Sequence, residues 1–155
     1  MSKDIDIVIY GATGFTGQLC VKYFQSLDLD IKWAIAGRNL RKLENVASKF
    51  STNVEILVAD SDDEKALKDV CSRSKVVLST AGPFHRYGSK LVATCIENDT
   101  HYVDITGENF WVKGLIEKHH KESARKGIRI IPSCGFDSIP SDIGTFFAVR
   151  SLNKP

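Results

Sequence analysis

The sequence predicts an α/β fold in which a parallel sheet of about six strands is covered by helices on both faces. Three observations predict it. Short apolar runs rich in β-branched residues alternate with amphipathic stretches along the chain. The runs are nearly continuous in apolar character, as strands buried on both faces of a parallel sheet are. The stretch after each run can hold a helix, so each strand returns by a right-handed crossover.

Ile5 to Tyr10 reads as the first strand, followed by a helix from about Thr16 to Leu27. Ile31 to Ala36 is the second strand. The helix after it, Leu40 to Phe50, carries Leu40, Leu43, Ala47 and Phe50 on one stripe at helical spacing. Val54 to Ala59 is the third strand. Ser61-Asp62-Asp63-Glu64 has capping-box spacing, with Ser61 at the N-cap, and opens a helix that turns Ala66, Leu67, Val70 and Cys71 inward. Lys75 to Thr80 is the fourth strand, and Ser89 to Glu97 a helix with Leu91, Val92, Cys95 and Ile96 apolar. His101 to Ile105 is the fifth strand. Asn109 to Lys126 is a helix ending at Gly127, a natural C′ residue. Ile128 to Pro132 is the sixth strand. Asp142 to Ser151 begins a further helix, and the expectation is a domain over residues 1–150. Residues 151–155 then start a linker, the chain being truncated before a C-terminal substrate domain.

Composition narrows the function. The chain has 155 residues, 43% hydrophobic and 26% charged, which fits one globular domain and excludes disorder or a fibrous repeat. A net charge of +2 lacks the basic bias of a nucleic-acid binder. No apolar run reaches the roughly 20 residues that span a bilayer. The start, Met-Ser-Lys-Asp-Ile-Asp, puts acidic residues where a signal peptide wants a basic n-region and an apolar h-region. The cysteines, Cys20, Cys71, Cys95 and Cys134, are never closer than 24 positions, so there is no zinc pattern and no metal site is expected. A reducing cytoplasm is the simplest compartment.

Gly11, Gly14 and Gly17 form G-x-x-G-x-x-G between the first strand and first helix. The first glycine allows the turn, the second lets the backbone approach a pyrophosphate, and the third permits close helix–strand packing. The helix N-terminus adds free N–H groups and a positive dipole end. Strand before and helix after supply the context that a bare glycine pattern lacks, and make the fold a three-layer Rossmann fold. NAD enzymes carry a carboxylate at the end of the second strand, to bind the ribose 2′-OH. Here the segment reads Ala36-Gly37-Arg38-Asn39. Arg38 is suited to a 2′-phosphate, so NADP(H) is preferred over NAD(H). Solvation of the next helix is the plain alternative for Arg41 and Lys42. Asp60 meets either the adenine side or a helix N-terminus.

Ligands in such sheets bind beyond the carboxyl ends of the strands. The fourth strand ends in Ser79-Thr80-Ala81-Gly82-Pro83-Phe84-His85-Arg86-Tyr87, the fifth in Asp104-Ile105-Thr106-Gly107-Glu108, the sixth in Ser133-Cys134-Gly135-Phe136-Asp137. Candidates for chemistry are Tyr87 and His85 as proton donors, Asp104, Cys134 and Asp137. Each has a plain alternative: loop packing for Tyr87, a solvated loop for His85, turn or helix capping for Asp104 and Asp137, a small buried apolar group for Cys134. His119 and His120 read as a solvated helix face.

Gly-Ala-Thr-Gly-Phe-Thr-Gly, Ala-Gly-Arg-Asn, Ala-Gly-Pro-Phe with its following Tyr-Gly, Tyr-Val-Asp-Ile-Thr-Gly-Glu and Cys-Gly-Phe-Asp-Ser-Ile-Pro-Ser-Asp, in this order, resemble the saccharopine dehydrogenase-like oxidoreductases. The subgroup with the trans-acting enoyl reductases is the most similar. The resemblance implies an N-terminal NADP(H)-binding Rossmann domain in a protein roughly two to three times this length. By that resemblance Gly11, Thr13, Gly14, Phe15, Thr16 and Gly17 would hold the pyrophosphate, and Arg38 with Asn39 the 2′-phosphate end. The loop from Ala81, Gly82 and Pro83 to Tyr87 would lie near the nicotinamide ribose. Asp104 and the segment from Cys134 to Asp142 would face the substrate cleft. Cys-Gly-Phe-Asp-Ser departs from the saccharopine-forming enzymes, so the likeness speaks to fold and cofactor rather than substrate.

Hydride transfer on a small-molecule substrate held by the missing domain is the first reading, with Tyr87 or Asp104 assisting proton transfer. A short-chain reductase is set aside, because no tyrosine starts Tyr-x-x-x-Lys. A non-catalytic dinucleotide sensor survives that test. A cysteine-dependent semialdehyde or acyl-phosphate reductase using Cys134 is a third reading: its place before a helix start suits a lowered pKa, while the Gly-Phe-Asp-Ser-Ile-Pro that follows is unlike that family's neighbourhood and no base is identifiable. Apolar surface left for the absent part makes a homo-oligomer a further expectation.

Overall fold

The computed structural model describes residues 3–27 and 30–152. Among the described residues six strands form one parallel sheet: β1 (Ile5–Tyr10), β2 (Trp33–Gly37), β3 (Glu55–Val58), β4 (Ser74–Ser79), β5 (His101–Asp104) and β6 (Ile130–Ile131). The spatial order is β3-β2-β1-β4-β5-β6, so β1 is central and the direction of winding reverses between β1 and β4. The helices are α1 (Phe15–Ser26), α2 (Leu40–Lys49), α3 (Glu64–Arg73), α4 (Phe84–Glu97), α5 (Asn109–Lys126) and α6 (Ile139–Leu152). This is the three-layer Rossmann arrangement expected from the sequence.

Alternation along the strands divides the core. Val8, Ala34 and Val77 face a layer closed by Leu67, Val70, Leu91, Ile96 and Trp111. Their neighbours Ile9 and Ile35 face the opposite layer, closed by Val21, Leu43 and Val46. Lys3 ties the first layer at its base. Its ammonium donates to the carbonyls of Cys71, Ser74 and Asn98 and to Thr100 Oγ1, gathering the C-terminal ends of α3 and α4.

Several element ends differ from the sequence expectation, each for a physical reason. Asp63, not Ser61, is the N-cap of α3, its Oδ1 accepting from the Ala66 N–H at 3.0 Å, which makes the capping-box assignment wrong by two residues. α4 starts at Phe84 rather than Ser89, because the Glu108 carboxylate accepts from the backbone N–H of Phe84 and His85, both at 2.8 Å, and so caps the helix from another element. His85 is therefore in a helical first turn and not in a loop. β6 shrinks to two residues. Gly127 in the left-handed conformation and the Ile128 N–H bond to Ser123 O hold the preceding residues in a helix cap, and Pro132 has no N–H to continue the ladder. On α2 Val46 replaces Leu40 in the buried stripe, Leu40 being half exposed. His119 is half-buried beside a cavity of about 320 Å³ between α5 and β6, whereas His120 is exposed as expected.

α6 runs to Leu152, so residues 151–152 of the expected linker are helical, and 153–155 lie outside the described residues. No residue of α6 is buried, and the apolar Phe146, Phe147, Val149 and Leu152 are all at least 50% exposed. Among the described residues no helix is long and apolar enough to cross a membrane.

Candidate functional site

β1 delivers the chain to the sheet's rim at Gly11, whose φ of +84° is a conformation that favours glycine. A Cβ there would lie 2.9 Å from the backbone nitrogen of Ala81. A Cβ on Gly17 would lie 2.2 Å from Gly11 O, so α1 approaches the turn more closely than any side chain permits. Gly14 is the N-cap of α1 and accepts from the Gln18 N–H. The N–H groups that follow it have no partner within the helix and point to the rim.

A cavity of about 240 Å³ opens over this turn. Its walls include Gly11, Thr13 and Gly14 from the turn, Arg38 beyond β2, and Ala81, Gly82 and Tyr87 beyond β4. The structure thus brings together seven residues singled out in the sequence. It also brings in Tyr10, Gly37, Ser61 and Thr80, which were not expected as site residues. Tyr10 and Thr80 are the last residue of a strand and the first beyond one, and that place in the sequence is the signal that identifies them. Burial and the charge of Asp60 push the Tyr10 phenol well above its usual range, and its hydroxyl donates to Ala59 O. Thr80 Oγ1 donates to the carbonyls of Tyr10 and Gly11, pinning β1 to β4 at the turn.

Other expected residues stand beside this cavity rather than in its wall. Phe15 is exposed and Thr16 half-buried in the first turn of α1. Asn39 uses its Oδ1 to cap α2, accepting from the Lys42 N–H. Asp60 Oδ1 accepts from the Asp62 N–H, which shapes its own loop. Pro83 is the N-cap of α4 and supplies no side-chain acceptor. Gly88 serves packing: a Cβ there would meet the Trp111 ring at 2.7 Å.

The rim beyond β5 and β6 is built from side chains. Asp104 is 1% exposed. Its Oδ2 accepts from Tyr102 Oη at 2.9 Å, and its Oδ1 from the N–H groups of Thr106 and Ser133, each at 3.0 Å. Burial raises its pKa, while those hydrogen bonds oppose the rise. Asp104 therefore fastens the end of β5 to the segment after β6. Cys134 is exposed instead of buried, and its Sγ donates to Ile131 O. Partial burial and the Asp104 charge raise its pKa, opposite to the activation that the cysteine-dependent reductase reading needs. α6 begins at Ile139, so Cys134 is not in its first turn. Asp137 is exposed in the turn before α6.

Glu108 and His85 form a pair that the sequence did not join. His85 Nδ1 lies 2.7 Å from Glu108 Oε2. Burial would raise the Glu108 pKa, but hydrogen bonds from His85 and from the Phe84 N–H outweigh it and hold the carboxyl below its usual range. The available signal was Pro83, which starts a helix without a side-chain acceptor and so requires one from elsewhere. Among the described residues no three His, Cys, Asp or Glu side chains form a metal cluster.

Three comparisons bear on this geometry. The family model described as "Saccharopine dehydrogenase NADP binding domain" matches residues 7–131. A protein of Mycobacterium leprae (strain TN) named "Trans-acting enoyl reductase" is 41% identical over 153 residues, covering 97% of this chain and 37% of that protein. A Caenorhabditis elegans protein named "Lipid droplet localized protein" is 34% identical over 157 residues, with 96% and 37% covered. The chain thus spans a little over a third of the length of these relatives. The saccharopine dehydrogenase (L-Glu forming) of Saccharomyces cerevisiae superposes with a TM-score of 0.75 at 21% identity, covering 96% of this chain and 31% of that one, a likeness of fold.

Proposed function

Because the chain belongs to the saccharopine dehydrogenase NADP binding domain family, we propose that it holds NADP(H), in preference to NAD(H), for hydride transfer on a small-molecule substrate. The observation that carries this is the turn at Gly11 and Gly17, where added Cβ atoms would meet backbone at 2.9 and 2.2 Å beneath a cavity that reaches Arg38. Such crowding serves a backbone that must approach a pyrophosphate, and those residues fit the group.

In this proposal the cofactor supplies the hydride and the chain supplies position. The free N–H groups of residues 15–17 at the start of α1 bind the pyrophosphate, with Thr13 beside them. Arg38 meets the 2′-phosphate with a planar, permanently charged fork. Thr80, Ala81 and Gly82 carry the strand end past the dinucleotide with little side-chain bulk, and Tyr87 closes the wall. Asp104, with its oxygens occupied by Tyr102, Thr106 and Ser133, positions the segment of Cys134 and Asp137 that faces the substrate. The remaining length of a protein the size of the relatives would hold that substrate, with residues 1–150 as the cofactor unit. Relatives named enoyl reductases favour a polarised double bond as the reacting group. Four cysteines without disulfides fit a cytoplasmic location.

Calorimetric titration with NADPH and with NADH tests the proposal. Selective NADPH binding is expected. Equal affinities, or selectivity for NADH, would overturn the 2′-phosphate assignment, and no binding by folded chain would overturn the cofactor role.

A further inference from the structure

We propose that His85, held at Nδ1 by Glu108, exchanges the proton that accompanies hydride transfer, acting through Nε2. The assignment rests on the cofactor proposal above.

The tautomer follows from the partner. The Glu108 carboxylate is an acceptor only, and it lies 2.7 Å from His85 Nδ1. Nδ1 therefore carries hydrogen in both charge states of the ring, and Nε2 alone gains and loses a proton. Glu108 is itself immobilised by the N–H groups of Phe84 and His85, and the imidazole packs against the Phe110 ring with centroids 5.6 Å apart. Among the described residues Nε2 has no hydrogen-bond partner, and the side chain is 51% exposed. An oriented base with a free reacting nitrogen is the arrangement that proton transfer needs.

The cavity over the glycine turn reaches Ala81, Gly82 and Tyr87. His85 stands beside that cavity and not in its wall: two residues before Tyr87 on a helix, its side chain leaves on the other side. That side faces Glu108 beyond β5, in the half of the sheet where the second nucleotide of a dinucleotide lies. Of the other candidates, Asp104 is bound by three donors and the Cys134 thiol is raised, while among the described residues neither the Tyr87 hydroxyl nor the Asp137 carboxylate is oriented by a hydrogen-bonded partner as His85 is. In the reducing direction one carbon of the substrate's double bond gains the hydride, a proton with two electrons. The Nε2–H bond breaks and its proton bonds to the other end, NADPH becomes NADP+, and the neutral imidazole regains a proton from water.

Imidazole signals followed by NMR against pH test this, with His85 identified by its loss in His85→Gln. The charge that faces the ring is Glu108, with Asp104 behind it; Arg86 is next in the chain, and its guanidinium lies over the Tyr87 ring. The oxidised nicotinamide adds a positive charge that the reduced one lacks. The His85 midpoint is therefore expected to lie lower with saturating NADP+ than with NADPH, by about 0.5–1 pH unit. His101, His119 and His120 should not move. Equal His85 midpoints in the two bound states would overturn the assignment and leave the cofactor proposal standing. Absence of binding heat with either dinucleotide would overturn both. Glu108→Gln is expected to mix the two tautomers, and an unchanged Nδ1–H signature in that variant would also overturn the assignment. Should Glu108→Gln unfold, the two cofactor states of the unaltered chain still decide.

Discussion

Over β1–β3 the rim is made of backbone, and over β4–β6 it is made of side chains. In the first region, Gly11, Gly14 and Gly17 lie within seven residues, and close approach shapes the surface. In the second, Asp104 reaches across to the Ser133 N–H and Glu108 reaches to His85, contacts separated by 29 and 23 positions. The first region therefore tolerates no added atom at its tightest point. The second tolerates changes of size and is sensitive to losing a charge or an acceptor.

The largest effect is expected from Gly17→Ala. Its Cβ would lie 2.2 Å from Gly11 O, a backbone atom with no freedom to swing away. Denaturant unfolding should show a loss of about 3 kcal/mol, together with loss of NADPH binding. A wild-type midpoint would break the contrast between the two regions.

Asp104→Ala comes next, because Tyr102 Oη and the N–H groups of Thr106 and Ser133 lose their acceptor. A loss of about 2 kcal/mol is expected in the same measurement. Asp104→Asn sharpens the point through pH. The folded state raises this carboxyl's pKa, so it favours the protonated form more than the unfolded chain does. Its contribution to stability is fully present below the unfolded value of about 3.9, and it is lost as pH rises through the folded one. Asp104→Asn should remove that slope, and an unchanged slope would show that another group carries it.

Arg38→Ala should weaken NADPH binding about tenfold while leaving NADH affinity as it was, measured by calorimetry. The smallest effect belongs to Cys134. With its pKa raised, it should react with iodoacetamide at neutral pH no faster than a free thiol. Fast, stoichiometric alkylation would return the cysteine-dependent reading to consideration.

What the sequence revealed follows the same division. The strands and the glycine turn are local patterns, and they were read within a few residues of their positions. Leu67, Val70, Leu91, Val92 and Ile96 were legible as core because helical spacing selects them. One error was local, and the others arose where a distant group decides. Ser61 looked like a cap, but Asp63 stands directly before the helix with an acceptor of the right length. Ser89 looked like a helix start, because the carboxylate that caps α4 is Glu108, beyond the next strand. The pairing of His85 with Glu108 could not be seen for the same reason.

The central place of β1 also has a history in time. Its second neighbour, β4, begins at Ser74, the partner of Ile5 in register. A ribosome adding about 5–20 residues per second needs roughly 4–14 s between making those two positions. Lys3 waits longer still, since two of its anchors, Asn98 and Thr100, are made after α4. The segment that carries Gly11 thus waits longer for its second neighbour than any other inner strand of the sheet. During those seconds an apolar strand is open to chaperones and to mispairing, so faults introduced around β4 should be felt first as reduced yield of newly made chain.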